Sequence, residues 1–160
     1  MNIIFRKAAN ADIPQLVEMR KGYMRETHTE LTEDILFEIA DKSKGYFQEH
    51  LNRDCIVYLA VDEDTDTVAA CIFFLLIDKP ASPLFLTGKT GTLMNVFTIK
   101  EYRRMGLAKK LVSMAIEDGR RWDLSYIELR STKDGYPLYK SLDFVEDRSI
   151  YMSMKLPLGD

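Results

Sequence analysis

The sequence predicts an α/β fold of the mixed α+β kind: a mostly antiparallel central sheet with helices on both faces. Three observations predict it. Strand-like and helical segments alternate along the chain. Near the middle, the β-rich runs 55–61 and 68–77 flank a turn, Asp62-Glu63-Asp64-Thr65-Asp66, and read as an antiparallel hairpin. Further on, a strand-like run at 92–99 passes through a basic turn into an amphipathic helix.

The elements follow in order. Residues 3–8 read as a first strand. Asn10, Ala11 and Asp12 then offer helix caps, with Pro14 in the first turn. Ile13, Leu16, Val17 and Met19 carry a helix to about Met24. Residues 25–30 are polar and lack periodicity, which predicts a loop. Thr32, Glu33 and Asp34 open a second helix, with Ile35, Leu36, Ile39 and Phe47 facing inward and Gly45 as a point of interruption. After the hairpin, Pro80, Pro83, Gly88 and Gly91 mark a connecting loop. In the next helix Leu107, Ala108, Leu111, Val112 and Ala115 form one apolar face, and Gly119 supplies a stop. Trp122 reads as a packing residue between helix and strand. Residues 125–130 read as a strand and 136–142 as a short helix, with Pro137 tolerated in its first turn. A last strand or strand pair is expected at 144–155. No repeat, low-complexity tract or linker interrupts the chain, so residues 1–160 are expected to form a single domain.

Composition narrows the classes of function. The chain has 160 residues, 46% of them hydrophobic and 29% charged, which suits one globular domain with a real core. A formal net charge of -3 argues against a general nucleic-acid binder. The N-terminus lacks the plan of a signal peptide, and the longest apolar run, 68–77, is far below membrane-spanning length. Cys55 and Cys71 sit in apolar strand-like runs without metal-ligand spacing. They read as buried thiols, no metal site is expected, and a reducing cytoplasm is the default setting.

The stretch with chemistry in it is 92–119. A strand, then Arg103-Arg104-Met105-Gly106-Leu107-Ala108, then a helix start make an anion site. The first N–H groups of a helix have no partner within it, and the helix dipole adds positive potential. Gly106 lets a ligand approach the backbone, Ala108 obstructs little, and Arg103, Arg104, Lys109 and Lys110 add charge. A diphosphate suits such a site. An ordinary strand–turn–helix with a solvated basic turn has the same appearance.

The R-x-x-G-x-A pattern after a strand resembles the acetyl-CoA signature of the GNAT (GCN5-related) N-acetyltransferases, Q/R-x-x-G-x-G/A. Asn95-Val96-Phe97-Thr98 and Glu101-Tyr102-Arg103 also look like that family's strand and entry. A second block supports the likeness. Glu128-Leu129-Arg130 leads to Gly135-Tyr136-Pro137-Leu138-Tyr139, which is similar to the family's late G-x-P-L-Y and L-Y-x-x-x-G-F segment. Asp143 stands where the family usually has Gly; Asp tolerates left-handed backbone angles better than most residues. No Asn lies in the loop before Tyr136, where many members contact pantetheine; Thr132 and Lys133 are nearest.

The resemblance implies a GNAT-like fold and acetyl transfer from acetyl-CoA to a primary amine, by direct attack in a ternary complex. It implies that the N–H groups around Arg104, Met105, Gly106, Leu107, Ala108 and Lys109 hold the diphosphate, with charge from Arg103 and Lys109. Backbone groups of Val96, Phe97 and Thr98 would pair with the pantetheine amides, and a bulge near Val96 or Phe97 would turn an N–H to the thioester oxygen. Tyr139 would protonate the departing sulfur. Glu128 borders the implied reaction centre and is the carboxylate candidate for the amine proton, directly or through water; Glu26 is another. Taken singly, each reads first as a solvated or structural carboxylate. His28 and His50 read as surface residues. Tyr23, Tyr46 and Phe47 either wall an amine site or pack the core. The implied partner is a small-molecule amine, with no nucleic acid or membrane involved, and a strand after Phe144 would allow a homodimer. A protein N-terminal or lysine acetyltransferase, or a non-catalytic acetyl-CoA sensor, are the alternatives.

Overall fold

A computed structural model describes residues 1–157. The chain divides into two compact units, Met1–Arg130 and Ser131–Asp160. The first unit holds a five-stranded sheet in the order β1-β2-β3-β4-β5. The strands are β1 (Ile3–Lys7), β2 (Cys55–Asp62), β3 (Thr67–Asp78), β4 (Lys89–Thr98) and β5 (Tyr126–Leu129). The first four pair antiparallel; β5 runs parallel to β4. That switch follows from the helix α3 (Leu107–Arg121) between them, since parallel neighbours need a crossover.

The hairpin forms as expected, and β2 is buried along its whole length. Val57, Leu59, Cys71, Phe73 and Phe97 face one way, against α1 (Ile13–Thr27) and α2 (Glu33–His50). Their alternates Tyr58 and Phe74 face the other way, toward α3. Helices therefore cover both faces of a mixed, mostly antiparallel sheet. Cys55 and Cys71 are free and fully buried.

Several local expectations need correction, among them Gly91, which lies inside β4 and not in the connecting loop. Helix α1 runs on to Thr27, so Arg25, Glu26 and Thr27 are helical. No Gly or Pro breaks it there, the Thr27 hydroxyl bonds back to the Tyr23 carbonyl at 2.8 Å, and His28 N–H closes on Met24 O at 3.0 Å. In α2 the Thr32 hydroxyl accepts from Ile35 N–H at 3.2 Å, as an N-cap should. Leu36 and Phe47 face inward, each 2% exposed, whereas Ile35 is 48% exposed. Leu36 and Phe47 are eleven residues apart, three helical turns, and define the inner azimuth; Ile35 lies about 100° away. Gly45 does not interrupt the helix.

Helix α3 continues past Gly119 to Arg121. The left-handed residue that ends it is Asp123, at φ 55°. Gly119 is small for packing instead: a Cβ there would stand 3.0 Å from Ile127. Trp122 stacks on Phe74, with ring centroids 6.4 Å apart.

On the α3 side, Asp118 is 3% exposed. It accepts from the Tyr58 hydroxyl at 2.6 Å, from Lys7 Nζ at 3.0 Å and from Arg121. Lys7 also lies 5.1 Å from the Trp122 ring centroid. Burial works to raise the Asp118 pKa, but the bonds from Tyr58, Lys7 and Arg121 outweigh it and hold the carboxyl below its ordinary value. This knot ties β1, β2 and α3 together.

The second unit contains α4 (Tyr136–Ser141). The strand or strand pair expected at 144–155 does not form: residues 144–157 carry no regular secondary structure. A strand needs a partner backbone, and residues 131–157 hold no other strand to supply one.

Candidate active site

The site is built where β4 leaves the sheet and α3 begins. Opposite β3, Phe97 pairs with Cys71 and Met94 with Phe73. Two residues of β4, Asn95 and Val96, therefore oppose the single Ile72, which is a β-bulge. The family resemblance implied a bulge near Val96 or Phe97. Asn95 takes the strained position, φ 53°, which Asn tolerates better than most residues. It is 1% exposed, its side-chain amide lies 3.6 Å from Cys71 Sγ, and Arg20 of α1 donates to its Oδ1 at 3.1 Å. Sequence reasoning missed Arg20 and the buried role of Asn95; Arg20 on the inner side of an amphipathic pattern was the available signal.

Beyond Thr98 a short 3-10 turn, Lys100–Tyr102, leads to the basic turn. Arg104 has φ 63° and Gly106 φ 75°, so the chain bends twice through the left-handed region before α3. A Cβ on Gly106 would meet nothing within 4 Å; the space in front of it is open. Gly106 is also the N-cap, and no side chain caps the helix. Among the described residues, the backbone N–H groups of 104–109 have no protein acceptor. Leu107 anchors the turn in the core, while Arg104, Met105, Gly106 and Lys109 are exposed and Ala108 is half-buried. A run of unpaired donors, an open approach and the positive end of a 15-residue helix suit a diphosphate.

Arg103 differs from the rest of the turn. Its Nε donates to the Thr98 carbonyl at 2.9 Å, and its NH2 pairs with Glu26 at the end of α1. The guanidinium thus bridges strand, turn and helix. Glu26 is engaged there and does not stand as a lone carboxylate.

Glu128 lies opposite Thr92 of β4, and the Thr92 hydroxyl donates to it at 3.4 Å. Thr92 alternates with Met94, which packs toward α1 and α2, so Glu128 is exposed on that same face. Tyr23 meets Phe97 edge-on at 6.3 Å, and Phe47 meets Phe73 at 5.2 Å; both belong to core packing. Tyr46 stacks on His50 at 4.4 Å, and His50 Nδ1 contacts Asp54 at 2.8 Å. His28 is exposed beside Thr27.

Tyr139 lies in the second unit. Its ring is edge-on to Phe144 at 5.8 Å, and a Cβ on Gly135 would stand 3.0 Å from it. Phe144 N–H bonds the Tyr139 carbonyl at 3.0 Å, and Asp143 has φ 67°, the left-handed turn that a Gly usually makes. The L-Y-x-x-x-D-F segment thus closes on itself.

Comparison with known proteins decides the family. The profile of the acetyltransferase (GNAT) family matches residues 13–144. The chain belongs to the GNAT family. Solved structures agree on the fold. A predicted acetyltransferase with acetyl-CoA from Clostridium acetobutylicum superposes with a TM-score of 0.83 at 24% identity, over 96% of each chain. A GCN5-related N-acetyltransferase from Ralstonia eutropha JMP134 gives 0.81 at 17% identity, over 96% of this chain and 99% of the other. Glucosamine-6-phosphate N-acetyltransferase from Arabidopsis thaliana gives 0.67 at 18% identity, over 98% and 100%. No curated protein matches by sequence. As a GNAT acetyltransferase the protein transfers acetyl groups from acetyl-CoA. No helix among the described residues is long and apolar enough to cross a membrane.

Proposed function

We propose that this GNAT protein is an N-acetyltransferase that acetylates the primary amine of a small molecule by direct attack in a ternary complex. The observation that carries the reading is the run of unpaired N–H groups at 104–109, behind an open Gly106 and next to a bulged β4. Acetyl-CoA supplies an activated acetyl thioester. The N–H groups of Arg104, Met105, Gly106, Leu107, Ala108 and Lys109 hold its diphosphate, and Lys109 adds charge. Arg103 shapes the turn through Thr98 and Glu26 and lies near enough in sequence to add charge as well. Strand β5 pairs with β4 only over Thr90 to Leu93, and beyond it the backbone of Val96, Phe97 and Thr98 pairs with the pantetheine amides, as an added strand would.

Glu128 takes the amine proton, directly or through a water, from the α1 and α2 face of the sheet. Its exposure keeps it in contact with solvent. Tyr139 gives a proton to the leaving sulfur. This role rests on the Leu138-Tyr139 match; a phenol with a reference pKa of about 10 stays protonated at neutral pH. Two free buried thiols suit action in a reducing cytoplasm.

The test is release of free thiol from acetyl-CoA across a panel of small amines, with peptides bearing free N-termini and lysines as a second panel. Turnover of a small amine well above any peptide supports the reading. Peptide acetylation alone, or tight acetyl-CoA binding with no turnover on either panel, overturns it.

A further inference from the structure

Arg20 sits where α1 crosses β4. The crossing is close because of Gly22: a Cβ there would stand 2.9 Å from the Phe97 ring. Two arginines are partly buried among the described residues, Arg6 and Arg20. Arg6 gives both terminal nitrogens to the Asp12 carboxylate, at 2.8 and 2.9 Å. Arg20 meets no carboxylate. Its hydrogen bond runs to the neutral amide oxygen of Asn95, and the rest of its five-donor fork has no protein acceptor among the described residues.

This arrangement is costly for the chain alone. Burial strips water from the guanidinium and pulls its pKa below the ordinary value, and only the phenol group of Tyr23 and the thiol of Cys71 oppose that. The fork is nevertheless held in place. Asn95 is fixed at the bulge and tied to Cys71, so its amide oxygen orients one edge of Arg20. A preorganised, partly desolvated fork without a counter-ion suits a carboxylate or phosphate from outside, which it can bind in two-pronged fashion. It also stands on the right face. Helix α1 covers the side of the sheet from which Glu128 projects, and Thr92, opposite Glu128, lies three residues before Asn95, about 10 Å along the strand.

We infer that the acceptor is an anionic amine, its carboxylate or phosphate held by the Arg20 guanidinium and its amine directed toward Glu128. This rests on the acceptor-face reading above and names the class of substrate that face takes. Neutral amines lack the group that the unmatched cation requires. The protein's own carboxylates do not substitute for it, because those on α1 are already engaged: Glu18 with Lys21, and Glu26 with Arg103.

The experiment compares matched amines: β-alanine with n-propylamine, and O-phosphoethanolamine with ethylamine. Thiol release from acetyl-CoA is measured for each, and kcat/KM is expressed per free-base amine. The anionic member of at least one pair should exceed its neutral partner by about tenfold or more in the wild type. Arg20→Met should bring that ratio to within about twofold, and Arg20→Lys should keep part of it. A purely structural Arg20 would alter both members alike and leave the ratio unchanged, which would overturn the inference. In parallel, calorimetry follows O-phosphoethanolamine and β-alanine binding to the CoA-loaded protein. If neutral amines react as well as their anionic partners, this inference falls while the acetyltransferase reading stands. If no amine reacts but either anionic probe binds in an Arg20-dependent way, the Arg20 anion contact stands, while the acceptor assignment falls together with the amine-transfer reading. Absence of both discrimination and binding overturns it. Should Arg20→Met fail to fold, the wild-type ratio and the Arg20→Lys variant decide.

Discussion

Gly106 separates the two demands on the turn before α3, backbone shape and ligand access. Gly106→Ala adds a Cβ that meets no protein atom within 4 Å, so packing contributes nothing to its cost. What remains is the left-handed backbone, φ 75°, which costs an L-residue about 1–2 kcal/mol. For a domain of this size that corresponds to a fall in melting temperature of roughly 2–8 °C. Gly106→Glu has the same backbone cost and adds a carboxylate where the phosphates should lie. Two like charges about 5 Å apart repel by roughly 1–3 kcal/mol for an effective dielectric between 80 and 20. That alone is about a fivefold to hundredfold loss of affinity, and the side chain also fills the open approach. The assay pairs thermal melts with calorimetric titration of acetyl-CoA. Wild-type protein should be stabilised by the ligand through mass action. Gly106→Ala should melt lower yet still respond, and Gly106→Glu should melt lower and lose the response. A folded Gly106→Glu protein with unchanged acetyl-CoA affinity would remove the diphosphate from this helix end.

Tyr139→Phe keeps the ring and removes the hydroxyl; turnover at saturating substrates should fall by roughly 10²-fold while acetyl-CoA affinity stays near normal, and wild-type turnover across a pH series would take Tyr139 out of the mechanism. Lys109→Ala should weaken CoA binding by roughly fivefold at low salt and less at high salt. Arg103→Ala should weaken it similarly, and because Arg103 also bridges Thr98 and Glu26, Glu26→Gln separates the two roles: a merely structural Arg103 predicts that Glu26→Gln weakens CoA binding as much. Asp118→Ala leaves the buried Tyr58 hydroxyl unpartnered, while the half-exposed Lys7 can turn to water; a loss of about 2–3 kcal/mol is expected in urea melts. The Asp118 carboxyl is held below its ordinary value, so its contribution is fully present above the unfolded pKa of about 4 and is lost as pH falls through the lower folded value; Asp118→Asn should therefore flatten the acid limb of the wild-type stability curve, and an unchanged limb would refute the assignment.

Much of this protein is determined by short-range sequence. The continuous apolar runs 55–61 and 68–77, joined by a short polar turn, pair as a hairpin, and the 3.6-residue pattern from Leu107 onward gives α3 its buried stripe. The GNAT signature is equally local, because a ligand that binds backbone N–H groups needs small residues at fixed spacing in one turn. Tertiary structure decided what depends on partners distant in the chain. Gly119 looks like a helix stop until Ile127 packs against it, and Asp123 makes the actual turn. The run after Phe144 has strand-like residues, but with no strand of its own unit beside it, it forms none. Arg103 reads as a free phosphate ligand, yet Glu26 lies 77 residues away in sequence and meets it in space. Arg20 carries no motif, and the strand block that holds Asn95, 75 residues away, gives no sign of their contact. Only the bulge in β4 and the crossing of α1 over it put a half-buried guanidinium against a neutral amide, because charge balance in a folded chain is settled by which side chains meet after the backbone has closed.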